Sequence, residues 1–142
     1  MNGYYKFVDH TADIAAKLEG SSLQDLFEAG AKAWFTAITS NESIEADDYM
    51  EIELSASSKE ELLVTFLNEL NYLLLAKRWL YVSIESFKLF DDAEGFELSA
   101  ELKGTPVSID FPMKHEIKSV TYHQVEIVEE SGKYSTLVVF DI

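Results

Sequence analysis

The feature that most restricts how this chain can fold is the leucine-rich segment that follows Ser57-Ser58. Leu62, Leu63, Phe66, Leu67, Leu70, Leu73 and Leu74 recur at three- and four-residue steps. On a 3.6-residue helix that spacing makes one broad stripe, which has to be buried against the rest of the molecule. Ser58 and Glu61 stand at capping-box spacing just ahead of it, so the helix has a defined start and sits at the centre of the core. A second helix is expected over residues 22–39, where Leu23, Leu26, Phe27, Gly30, Trp34, Ala37 and Ile38 share a face. Ser21 or Ser22 can cap it, with Gln24 and Asp25 available to close the box. The polar Asn68, Glu69 and Asn71 read as the solvated side of the leucine-rich helix, and Trp34 and Trp79 read as core residues.

Extended segments fill most of the remainder. Residues 50–54 alternate strictly, which turns Glu51 and Glu53 to water. Leu80, Val82 and Ile84 begin a strand whose inward parity shifts at Phe87 and Leu89, which calls for a bulge near Glu85-Ser86. Residues 91–95 make a turn, and Phe96, Leu98, Ala100 and Leu102 return as the partner strand. Residues 4–8 and 13–18 read as extended, as do residues 120–128 and 134–141. The order strand–helix–strand–helix–strand–strand–strand predicts one α+β domain over residues 1–142, with two main helices on one face of a mostly antiparallel sheet.

Composition narrows the function. The chain has 142 residues and no cysteine, which removes disulfide scaffolds, thiolate metal sites and cysteine nucleophiles. No apolar run reaches the ~18 residues of a membrane span, and no basic, apolar leader precedes residue 7, so a soluble cytoplasmic protein is expected. A formal charge of −15 is spread along the whole chain, and Lys77-Arg78 is the only adjacent basic pair. Gripping a phosphate backbone needs clustered Lys and Arg, so direct nucleic-acid binding is not expected. A basic protein partner or a cation suits the charge better. The acidic stretch from Glu42 to Glu53 reads as loop and exposed strand, with a protein-binding patch as the alternative. No phosphate-binding glycine loop, zinc-helix motif or nucleophile elbow is present.

The chemistry-bearing residues are few. Asp9-His10-Thr11-Ala12-Asp13 packs three ionisable groups into five residues between two extended segments. These groups can ligate a hard cation, share a proton with His10 as acid or base, or form a polar turn. His115 and His123 lie further on, and Asp141 is an acidic residue in an otherwise apolar strand. If residues 131–133 form a three-residue loop, Glu130 pairs with Tyr134. Ile127 then faces Leu137, Val125 faces Val139, and His123 faces Asp141.

Four segments together resemble the archease family: residues 9–14 (Asp-His-Thr-Ala-Asp-Ile), residues 67–70 (Leu-Asn-Glu-Leu), residues 117–123 (Ile-Lys-Ser-Val-Thr-Tyr-His) and the closing Phe140-Asp141-Ile142. They occur in the family's order and spacing and span essentially the whole chain. Ser119 stands where the family usually has Ala, and Asp110-Phe111-Pro112 departs from its Asp-Pro step. The resemblance implies a fold of nested strand–helix–strand–strand modules. It also implies a protein that is not itself an enzyme but activates the RtcB-type tRNA-splicing ligase by promoting guanylylation of the ligase's active-site histidine and multiple turnover. A calcium site is implied at Asp13, Asp141 and Ile142, the last through main-chain or terminal oxygens, with Mg²⁺ or Mn²⁺ as alternatives. From this the Asp13–Asp141 end, with His10 and His123 nearby, is expected to act at the ligase active site. A free-standing metal-dependent enzyme built on the same cluster and a chaperone-like acidic interaction protein are the competing classes.

Overall fold

A computed structural model of the protein describes residues 3–8, 13–41, 43–122 and 125–142. Along the chain it forms β1 (Tyr4–Val8), β2 (Asp13–Gly20), α1 (Leu23–Ile38), β3 (Asp48–Ala56), α2 (Lys59–Lys77), β4 (Trp79–Asp92), β5 (Gly95–Pro106), β6 (Ser119–Thr121), β7 (Val128–Glu130) and β8 (Lys133–Asp141). Both helices start where the sequence places them. The Ser22 hydroxyl accepts from the Asp25 N–H at 3.1 Å, and the Ser58 hydroxyl accepts from the Glu61 N–H at 3.1 Å. Glu61 closes its end of the box on Ser57, whose hydroxyl donates to it at 2.6 Å. At the far end of α2, Arg78 takes a left-handed conformation, and its N–H caps the last turn.

The α+β class holds, and every strand pairing is antiparallel. The strands divide over two sheets. One has the order β1-β2-β8-β6, with β7 also paired to β8, and the other has the order β3-β5-β4. Alternation tells a strand which face is apolar but not which strand lies beside it, so the split is a tertiary result. The nesting is visible in the chain order: β3–α2–β4–β5 closes a three-stranded module on itself, while the first and last strands build the other sheet around it. The ladder between β4 and β5 shifts register at Tyr81/Ser83 and again at Ile84/Ser86, the second at the bulge that the parity change required. Gly104 lies opposite Tyr81, where a Cβ would stand 2.3 Å from the Leu80 carbonyl oxygen.

α1 packs on α2, β1, β2 and β8, and α2 packs on β3, β4, β5 and β6. One core cluster runs through both sheets, with Trp34, Phe27, Phe66, Tyr81 and Phe140 among its largest fully buried members. The polar side of α2 is not solvated as the sequence suggested. Asn71 is 4% exposed; its carbonyl oxygen accepts from Trp34 Nε1 at 3.0 Å, and its amide donates to the Ile117 carbonyl at 2.7 Å. Asn68 brackets Val120, donating to its carbonyl at 3.0 Å and accepting from its N–H at 2.8 Å. Asn71 lies four residues after Leu67 and three before Leu74, on the buried stripe itself, and that spacing was the available signal.

The last hairpin also departs from the expected register. Ser131 and Gly132, with φ of 54° and 75°, form a two-residue turn of the kind that needs positive φ at both positions. Glu130 therefore pairs with Lys133, Glu129 with Tyr134 and Val128 with Ser135. The extended segment expected over residues 120–128 breaks into β6 and β7, and Val125 and Ile127 leave the ladder. Ile127 is instead buried, with its N–H donating to Glu60 at 3.0 Å.

Replacing Asn71 by Ala should leave the Trp34 N–H and the Ile117 carbonyl buried without partners, a cost of about 2–4 kcal/mol read from the urea midpoint. Burial, and then the nearby Glu28 charge, push the Tyr81 hydroxyl well above its ordinary value of 10.0. Its folded-state pKa is raised, so its contribution is complete below pH ~10 and is lost as the pH rises beyond the ordinary tyrosine range. Tyr81→Phe should flatten the alkaline limb of a stability-versus-pH curve while leaving the neutral region in place.

Candidate functional site

The strand periodicity of the first sheet decides which residues meet at its open end. Ile14, Ala16 and Leu18 of β2, Val138 and Phe140 of β8 and Val120 of β6 face the helices. Side chains alternate, so Asp13, Asp141 and Ser119 point to the opposite face. The ladders set them in one rung: Asp13 is directly opposite Asp141 across β2 and β8, and Ser119 is directly opposite Asp141 across β6 and β8. Residues directly opposite in such ladders have Cβ atoms roughly 5 Å apart, so the two carboxylates and one hydroxyl stand side by side. All three residues are half-buried. The Asp141 carbonyl accepts from the Lys118 N–H at 2.7 Å, which ties the end of β8 to the chain entering β6.

Asp13 and Asp141 are thus brought together from opposite ends of the chain, as the sequence reading required. Ser119 stands opposite Asp141 across β6 and β8, and the expected His123–Asp141 pairing falls on a residue outside the described ones. His10 and His123 themselves, with Asp9, Thr11, Ala12 and Glu42, lie outside the described residues. His115 is half-buried in the segment after β5, where neighbouring Lys114 is bound to the end of α1 through the Ile38 and Thr36 carbonyls.

Among the described residues no three Asp, Glu, His or Cys side chains converge on one point. The rung offers two carboxylates and the Ser119 hydroxyl, all hard oxygen donors, and Ile142 follows Asp141 directly in the chain. That donor set fits a cation of the Ca²⁺, Mg²⁺ or Mn²⁺ class and has nothing to offer a structural zinc. A separate acidic feature lies on the second sheet. An open concavity of about 690 Å³ is lined by Glu51, Glu53 and Glu101, with Ser86, Lys88 and Ser99, and it shares no residue with the Asp13–Asp141 rung. Among the described residues no helix is long and apolar enough to cross a membrane.

The fold and this rung define a class: a small acidic α+β protein whose second and last strands join two aspartates at one sheet end. The profile of the archease protein family (MTH1598/TM1083) matches residues 5–142. An archease-like protein of Drosophila melanogaster is 33% identical over 141 residues, covering 97% of this chain and 90% of its own. An archease of Methanosarcina barkeri is 32% identical over 139 residues, covering 97% and 95%. The solution structure of Methanobacterium thermoautotrophicum protein 1598 superposes with a TM-score of 0.81 at 26% identity, over 97% of this chain and 98% of that one. The crystal structure of an archease from Thermotoga maritima, described as a possible chaperone, shares the fold with a TM-score of 0.64 at 23% identity and 96% coverage of both chains. The chain belongs to the archease family.

Two carboxylates directly opposite one another repel. In chelator-treated protein Asp141→Asn should therefore raise stability by about 0.3–1 kcal/mol, measured by urea unfolding. The same variant should lose any stabilisation that added Ca²⁺ gives the unaltered protein.

Proposed function

We propose that this protein activates an RtcB-type RNA ligase, promoting guanylylation of the ligase's active-site histidine and its repeated turnover in tRNA splicing and RNA repair. The observation that carries the reading is the rung that sets Asp13 opposite Asp141, the residue pair to which the family resemblance assigns the calcium site. Membership of the archease family supports it. So does the charge of −15: an RNA ligase needs a basic surface, and an acidic partner is drawn to it without competing as a nucleic-acid binder.

In this reading the protein does its work by placing side chains, not by turning over a substrate of its own. The Asp13–Asp141 end, standing on the paired strands β2 and β8 of a sheet braced by α1, enters the ligase active site as a rigid unit. A carboxylate there accepts a hydrogen bond from one ring nitrogen of the GMP-accepting histidine, which makes the other nitrogen the better nucleophile toward the α-phosphorus of GTP as pyrophosphate leaves. Asp13, Asp141 and the Ile142 main chain would hold a Ca²⁺-class ion, which would supply positive charge that lets two carboxylates share one rung.

Single-turnover guanylylation of a purified cognate ligase, with labelled GTP and Mn²⁺, tests the proposal. Addition of this protein should raise the rate by an order of magnitude or more, and Asp13→Ala or Asp141→Ala should abolish the increase while leaving the circular dichroism unchanged. Full activation by both variants would transfer the activity to the acidic sheet face at Glu51, Glu53 and Glu101. No activation by the unaltered protein overturns the proposal.

A further inference from the structure

One rung inward from Asp13–Asp141–Ser119 lie Ala15, Val139 and Thr121, directly opposite one another on β2, β8 and β6. By the two-residue strand period they share the face of the carboxylates. That face is turned away from the helices, yet Ala15 is 0% and Val139 2% exposed, and neither is part of the helix-packed core cluster. The outer face is therefore closed off from solvent at Ala15 and Val139, while Asp13, Asp141, Ser119 and Thr121 around them are half-buried. Within it the Thr121 hydroxyl oxygen is buried and has no hydrogen-bond partner. Leaving a buried hydroxyl unpartnered costs free energy, whereas a valine of the same shape costs nothing at such a position.

We propose that the Thr121 hydroxyl supplies a neutral oxygen donor to a divalent cation held by Asp13 and Asp141. The inference rests on the reading of this end as a cation site and adds a residue to it. Cations of this class take six to eight oxygens, carboxylates together with neutral donors. Two aspartates balance a double positive charge and leave several positions for neutral oxygens. Thr121 stands diagonally across from Asp141, where Cβ atoms are roughly 7 Å apart. That separation is bridged by an ion about 2.4 Å from each donor oxygen. The other unpartnered buried hydroxyl among the described residues, Thr136, faces the helices opposite Leu18 and supplies a built-in control.

The experiment is calorimetric titration of chelator-treated protein with Ca²⁺, read beside the urea midpoint without cation. Thr121→Val should bind Ca²⁺ roughly ten- to a hundredfold more weakly, with a cation-free midpoint equal to or above that of the unaltered protein. Thr121→Ser should recover most of the affinity, and Thr136→Val should raise the midpoint without changing Ca²⁺ binding. Should Thr121→Val fold poorly, Thr121→Ala replaces it in the same comparison with Thr121→Ser. Ca²⁺ binding by Thr121→Val equal to that of the unaltered protein, while Asp141→Asn loses it, overturns the role of Thr121 and leaves the aspartate site standing. Absence of Ca²⁺, Mg²⁺ and Mn²⁺ binding by the unaltered protein overturns both.

Discussion

The structure depends on α2 being buried on its polar side as well as its leucine side. Asn71 joins the Trp34 indole on α1 to the Ile117 carbonyl, and one turn earlier Asn68 takes both main-chain groups of Val120. Side-chain amides do here what another strand would do, satisfying the backbone of a segment that enters the interior with little ladder of its own. β6 is only three residues long, so it is held in place as much by this helix as by β8. The residue next to Val120 is Ser119, which shares a rung with Asp141. The acidic end of the sheet is therefore referenced, through two asparagines, to the centre of the core.

That arrangement divides the molecule by function. The outer sheet carries paired acids from β2 and β8 at an end that is half-buried, with Ala15 and Val139 buried one rung further in. The inner three-stranded sheet presents a broad polar face on which Glu51 sits directly opposite Glu101, a pairing that repels. The first geometry suits specific placement of charge against a partner's reacting group. The second contributes to the long-range field that brings a basic partner near, an effect that falls with added salt.

The helices were legible in the sequence because their determinants are local: cap residues and stripe spacing both act within a few residues. The β4–β5 hairpin and its bulge were legible for the same reason, since parity is a property of one strand. The expected pairing of Val125 with Val139 and of Ile127 with Leu137 is not formed, because a three-residue loop does not set the register. A two-residue turn with positive φ at Ser131 and Gly132 set it instead, and the segment between β6 and β7 left the ladder. Asn71 was misplaced because its chemistry was weighted above its position on the buried stripe.

What the sequence determined by itself is the class of the fold, the two helices, the acidity and the small set of residues able to carry chemistry, because each follows from composition or from a period of two or 3.6 residues. Only the tertiary structure decided that the strands form two sheets, that Asp13 and Asp141 share a rung with Ser119, and that the Thr121 hydroxyl lies buried beside them. Those are contacts between residues about 20 to 130 positions apart. No local preference encodes them; they follow from how the helix layer and the strand neighbours pack together.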